Sequence, residues 1–144
     1  MSPVEVVMRT APVIPVLVIE DADHARPIAE ALVAGGLPVL EVTLRTAAAL
    51  DVIAEMKKVP GAIVGAGTIV DIPGLERAIA AGAEFIVSPG LTDNLGKAAV
   101  AKGIPFLPGI ANAGDIMRGL DLGLTHFKFF PAAGGGGMTA LRAF

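Results

Sequence analysis

Leu37-Pro38-Val39-Leu40-Glu41-Val42-Thr43-Leu44-Arg45 is the stretch on which the fold turns. Read as a strand, its period of two sends Val39, Glu41, Thr43 and Arg45 to one face and Leu40, Val42 and Leu44 to the other. The apolar face suits packing under helices. The second face carries charge toward an enclosed centre. Strands of a doubly wound open sheet are covered by helices on both sides and read as apolar throughout. A strand with one charged face therefore points to a barrel.

On either side of this stretch, strands and helices alternate. A β-branched run over residues 13–19 is followed by helix formers over 22–34, with Asp21 or Asp23 as N-cap and Gly35-Gly36 as the stop. After the strand at 37–44, Thr46 caps a helix reaching about Lys58, and Pro60-Gly61 turns the chain into a strand at 62–67. Residues 71–81 are predicted helical up to Gly82, 84–88 a strand, 92–101 a helix ending at Gly103, and 104–108 a strand. Asn112 with Asp115 three residues on resembles a capping box and opens a helix to Leu122, before a last strand at 125–130. Gly134 to Gly137 then lead into a final helical stretch.

Six strand-helix units returning at a nearly constant spacing define an α/β class and an architectural repeat. A complete (β/α)8 barrel of the TIM type takes at least ~200 residues, or roughly 25 per unit. The 144 residues present accommodate about six of the eight units in a single domain over 1–144. A flavodoxin-like open sheet fits the same length with nothing missing, but the charged strand face argues against it.

Composition narrows the chemistry. There is no Cys and there are two His, which removes disulfides, thiolate metal sites and thiol nucleophiles; neither a metal nor a cofactor is expected. Eleven Lys and Arg against fourteen Asp and Glu give a net charge of −3, with 4% aromatic residues and no basic block, so nucleic-acid binding is disfavoured. Mean hydropathy is high at +0.70. Even so, the most apolar run, 11–19, is broken by Pro12 and Pro15 and is about half the ~20 residues a spanning helix needs. The first residues lack the basic cluster and apolar core of a signal peptide, and a cytoplasmic protein is expected.

Two charged residues sit inside strands otherwise built for burial: Glu41, and Lys128 in His126-Phe127-Lys128-Phe129-Phe130-Pro131. An unpaired buried charge is costly, so each needs pairing, hydrogen bonding or a changed protonation state. A purely structural ion pair is one reading. The other follows from parallel strands, which bring Glu41, Arg45, Thr68 and Lys128 toward one carboxyl-end rim, where barrels place active sites. A lysine desolvated among Phe127, Phe129 and Phe130, with Arg45 near, is suited to attack a carbonyl carbon as a free amine. Glu41 is the inward acid available to move protons, and Arg45 and Thr68 are the groups available to clamp a carboxylate. These residue types allow a Schiff-base lyase acting on a 2-oxo acid. His24, on an early helix away from the rim, reads as solvated or capping, and His126 as packing or hydrogen bonding. The glycine run 134–137 lacks a Lys and the P-loop spacing and reads as a flexible loop.

The run Val33-Ala34-Gly35-Gly36 followed by Leu40-Glu41-Val42-Thr43-Leu44-Arg45 closely resembles the 2-keto-3-deoxy-6-phosphogluconate aldolase family, which includes 4-hydroxy-2-oxoglutarate aldolases. Val64-Gly65-Ala66-Gly67-Thr68, Ile86-Val87-Ser88-Pro89-Gly90-Leu91, Phe106-Leu107-Pro108-Gly109-Ile110 and Phe127-Lys128-Phe129-Phe130-Pro131 follow in the family's order and spacing. The resemblance implies that Lys128 forms the Schiff base and that Glu41 is the general acid/base, acting through a water. It implies that Arg45 and Thr68 hold the pyruvate carboxylate and that Pro89 and Phe130 line the pocket. The implied reaction cleaves the phosphorylated sugar acid to pyruvate and glyceraldehyde 3-phosphate, a step of the Entner-Doudoroff pathway, or 4-hydroxy-2-oxoglutarate to pyruvate and glyoxylate. The implied assembly is a homotrimer. Two departures stand out. The family's phosphate site follows its seventh and eighth strands, which this sequence does not reach, and Ala133 stands where related sequences carry Glu. The alternative function is a non-catalytic fragment or assembly subunit of the same fold, with open edges on its first and sixth strands. A phosphate-binding biosynthetic barrel of another kind fits less well, because it does not require Lys128 and Glu41 together.

Overall fold

The computed structural model describes residues 1–144. Six strands, β1 (Val16–Leu17), β2 (Val39–Thr43), β3 (Ile63–Gly67), β4 (Ile86–Ser88), β5 (Phe106–Ile110) and β6 (Lys128–Phe129), pair in parallel. Each strand neighbours its successor in the order β1-β2-β3-β4-β5-β6. That order has no switch point, unlike a doubly wound sheet, and matches six consecutive staves of a (β/α)8 barrel. Between them run α2 (Ala25–Ala34), α3 (Ala49–Met56), α4 (Ile72–Ala80), α5 (Asp93–Lys102) and α6 (Ala113–Asp121), with α1 (Pro3–Thr10) before the sheet and α7 (Gly137–Ala143) after it.

The period-two reading of β2 fixes two separate cores. Leu40 and Val42, with Val64, Ala66, Ile86 and Phe106 of the next strands, pack outward against helix residues such as Ala29, Ile53, Met56, Leu75 and Ala99. Val39, on the other face of β2, joins Phe85 and Val87 in a smaller inner cluster closed by Val7 and Ala11. Helix α1 therefore plugs the amino-terminal end of the partial barrel. Above this layer the inner face turns polar, with Glu41 and Thr43 both buried on β2.

Local signals mostly sit where the residues place them. Asp71, Thr92 and Asn112 side chains cap α4, α5 and α6. Gly103 ends α5 at φ 67°, a left-handed position that glycine takes without steric cost.

Several expectations are corrected. The N-terminal helix was not anticipated, although Ser2 followed by Pro3 and Glu5 is a helix start: Ser2 Oγ accepts from the Glu5 backbone N–H at 3.3 Å. Thr46 does not cap α3, whose N-cap is Ala48; its hydroxyl instead donates to the Ile19 carbonyl at 2.7 Å. The fifth strand lies two residues later than 104–108: its ladder to β4 begins at Phe106 and its ladder to β6 runs through Gly109 and Ile110. The outer strands are shorter than their β-branched and aromatic runs suggest, because each pairs on one side only. The glycine run is a hydrogen-bonded turn, with Gly135 N–H donating to Pro131 O at 2.7 Å and Gly137 N–H to Ala132 O at 2.8 Å.

Candidate active site

All six residues singled out in the sequence, Glu41, Arg45, Thr68, Pro89, Lys128 and Phe130, line one cavity of about 300 Å³, together with Val16 and Thr43. Each comes from a different position along the carboxyl-end rim. Glu41 and Thr43 project inward from β2, and Arg45 lies in the turn after it. Thr68 and Pro89 follow directly on β3 and β4, while Lys128 opens β6 and Phe130 follows it. The pairing of Gly109 with Lys128 and of Val16 with Glu41 keeps Lys128 and Val16 on the same inward face as Glu41.

Glu41 Oε1 lies 3.6 Å from Lys128 Nζ. The carboxylate is buried and Oε1 accepts no hydrogen bond. Burial, the largest influence, pushes the Glu41 carboxyl above the usual glutamate range, and the charges of Lys128 and Arg45 pull it back only in part. A carboxyl so placed takes up and returns a proton closer to neutral pH than a solvated glutamate does. Lys128 Nζ also stands 4.9 Å from the centroid of the Phe130 ring, within cation–π range.

At the rim, Arg45 Nε donates to Thr68 Oγ1 at 3.2 Å. Thr68 has φ 58°, a left-handed conformation that costs a β-branched residue about 1–2 kcal/mol. Its hydroxyl is thereby turned toward the arginine. Arg45 is exposed, so its guanidinium faces the cavity mouth with donors free for an anionic group. The hydroxyl of Thr43 donates to Leu17 O at 3.0 Å and ties β1 to β2 within the cavity wall.

The aromatic surroundings of Lys128 differ from the sequence expectation. Only Phe130 stands beside it. Phe127 packs outward against Gly119 of α6, and Phe129 meets the Phe144 ring edge-on at 6.0 Å between centroids. Strand alternation accounts for this, since Phe127 and Phe129 flank Lys128 on the opposite face. His126 lies inward but below, in a separate cavity of about 220 Å³ with Ser2, Pro3 and Val4, and its Nδ1 is 3.0 Å from Thr125 Oγ1. His24 is exposed at the start of α2. Val16 was missed as a lining residue, and its only signal was the inward register of β1, which two ladder residues carry weakly.

The sequence profile of the KDPG and KHG aldolases matches residues 4–144. The 2-dehydro-3-deoxy-phosphogluconate aldolase of Zymomonas mobilis is 63% identical over 143 residues, covering 99% of this chain and 69% of that protein. The KHG/KDPG aldolase of Escherichia coli is 53% identical over 140 residues, covering 96% of this chain and 66% of that protein. The crystal structure of the Zymomonas mobilis enzyme with 3-phosphoglycerate superposes with a TM-score of 0.95 at 64% identity, over 97% of this chain and 67% of that one. The KDPG aldolase of Legionella pneumophila, with pyruvate captured as a covalent carbinolamine intermediate, superposes at 0.93 with 44% identity, over 99% of this chain and 69% of that one. This chain spans about two thirds of the length of these relatives.

Proposed function

Because the chain belongs to the KDPG and KHG aldolase family, we propose that it is a class I aldolase in which Lys128 and Glu41 do the bond-breaking. The substrates we infer are 2-keto-3-deoxy-6-phosphogluconate, cleaved to pyruvate and glyceraldehyde 3-phosphate, and 4-hydroxy-2-oxoglutarate, cleaved to pyruvate and glyoxylate. The observation that carries the reading is the pair itself: a buried carboxylate with an unpartnered oxygen, 3.6 Å from an inward lysine, in a cavity whose mouth holds Arg45 and Thr68.

In the first step Lys128 Nζ, as the free amine, attacks the C2 carbonyl carbon and the carbinolamine loses water to give an iminium. The iminium then accepts the electron pair of the C3–C4 bond as the C4 hydroxyl proton passes to the Glu41 carboxylate, directly or through a water. The aldehyde departs and an enamine remains. Glu41 returns its proton to C3, and a water added at C2 releases pyruvate and leaves Lys128 and Glu41 in their starting states. Throughout, Arg45 holds the substrate carboxylate in a bidentate grip and Thr68 fixes the arginine. Pro89 and Phe130 wall the cavity.

The test is borohydride trapping. The chain is incubated with pyruvate and reduced, and one added lactyl group is sought by intact mass, with Lys128→Ala as control. An adduct that the substitution abolishes supports the reading. A folded chain without adduct favours a non-catalytic fragment or assembly subunit, for which the half-exposed Val16 at the cavity wall speaks. No helix is long and apolar enough to cross a membrane. We place the chain in the cytoplasm, in sugar-acid breakdown, as a homotrimer; light scattering tests the last point.

A further inference from the structure

We propose that Gly67 is a positioning residue: the space left by its missing Cβ is the slot that holds the Glu41 carboxylate opposite Lys128. The inference rests on the aldolase reading of that pair. Gly67 is the last residue of β3, buried, and aligned with Thr43 of β2, and its carbonyl accepts from the Leu44 N–H at 2.9 Å. A Cβ built on it overlaps Glu41 Oε1 and comes within 2.7 Å of Cδ and 2.8 Å of Cγ.

Backbone conformation is not the reason for glycine here, because Gly67 is an ordinary strand residue outside the left-handed region. An alanine is compatible with the chain at this point and incompatible with its neighbour. The backbone is held by the β2–β3 ladder, so the glutamate must yield. Since Cγ is crowded as well as the carboxylate, twisting the terminal group does not relieve the overlap, and the side chain has to rotate away. Gly65, two residues earlier on the same face, shows the contrast. Its missing Cβ makes room for the Phe85 ring in the inner apolar cluster, a packing role below the site.

The experiment reads the coupling between Glu41 and Lys128, with the other nearby charge, Arg45, left in place. The full chain is labelled with [δ-13C]glutamate and the Glu41 carboxyl is titrated by NMR, with and without Lys128→Met, in the parent and in Gly67→Ala. In the parent, loss of the Lys128 cation is expected to raise the midpoint by about one pH unit or more. In Gly67→Ala the same substitution is expected to move it by less than about half as much, because the carboxylate no longer faces the amine. Equal shifts in both backgrounds, or none in either, overturn the proposal.

Because this readout needs no turnover, it is separate from the aldolase reading, whose failure appears as a parent chain without trapped adduct. Where the adduct does form, Gly67→Ala is expected to keep it while slowing deuterium exchange at the pyruvate methyl about 100-fold, the scale of a lost acid/base group. If Gly67→Ala loses its cooperative thermal transition, Glu41→Ala is added to it. Deleting Cγ and the carboxylate removes every atom of the overlap and is expected to restore folding, and a double variant that stays unfolded overturns the proposal.

Discussion

Glu41 Oε1 and Lys128 Nζ face each other at 3.6 Å, near enough for charge attraction and too far for a hydrogen bond. A structural ion pair would close that distance, since a buried carboxylate gains most from hydrogen bonds made directly to it. An open pair leaves the acceptor free for the proton of a bound hydroxyl or water. Glu41→Gln keeps the shape and removes the ionisable carboxyl. We expect it to retain the borohydride-trapped pyruvate adduct while slowing methyl-proton exchange by about 10²–10⁴-fold. Loss of the adduct itself would show that Glu41 is needed for imine formation.

The raised pKa of Glu41 also makes stability depend on pH. Its folded value lies above the unfolded one, so between the two the folded chain holds a proton that the unfolded chain has released. Stability from this group is therefore full below the ordinary glutamate range and falls as pH rises through the raised folded value. Above that value the buried carboxylate is ionised and the cost is constant. Comparing the thermal midpoints of Glu41→Gln and the parent across this window gives the check. The variant's relative stability should increase with pH and then level off. A difference independent of pH would mean that Glu41 titrates as a solvated glutamate.

The barrel architecture and the convergence of the candidate residues on one cavity were legible because strand alternation is a strong signal. Glu41, the one charge on β2, marked the inward face of that strand, and alternation put Lys128 on the inward face of β6; that the two meet at 3.6 Å comes from the stagger of the curved sheet, not from register alone. Ring positions on β6 were misread because three phenylalanines near one lysine look like an enclosure until alternation sends Phe127 and Phe129 outward. The role of Gly67 was not legible at all, since a vacancy filled by a side chain two strand positions away in register has no local pattern. The helix at Pro3–Thr10 was readable from Ser2, Pro3 and Glu5, but its use as a basal plug depends on tertiary contacts with Val39 and Phe85.

Thr68 pairs a steric cost with a hydrogen bond to Arg45. Its left-handed backbone aims the hydroxyl at Arg45 Nε. Thr68→Ala and Thr68→Gly both delete that hydroxyl, and both should weaken pyruvate capture, read as a higher pyruvate concentration for half-maximal trapping. They should differ in stability. Glycine relieves the strain that alanine retains, so Thr68→Gly should unfold at a free energy about 1 kcal/mol above Thr68→Ala in urea. Equal stabilities would show that the φ of 58° carries no strain at this turn.

Val7 separates stability from chemistry, because α1 closes the end of the partial barrel opposite the cavity rim. Its side chain is 8% exposed and packs with Ala11 on Val39, Phe85 and Val87. Val7→Ala removes two buried carbons and should lower stability by about 1–2 kcal/mol. Val7→Asp places an unpaired carboxylate on the inner apolar cluster and should cost more, lifting α1 from the sheet. None of the cavity-lining residues belongs to α1. The trapped adduct should therefore persist in Val7→Ala at temperatures where the chain stays folded, its upper limit falling in step with the thermal midpoint. A variant that lost the adduct while fully folded would show that the plug shapes the site through Val39 and its strand neighbour Glu41.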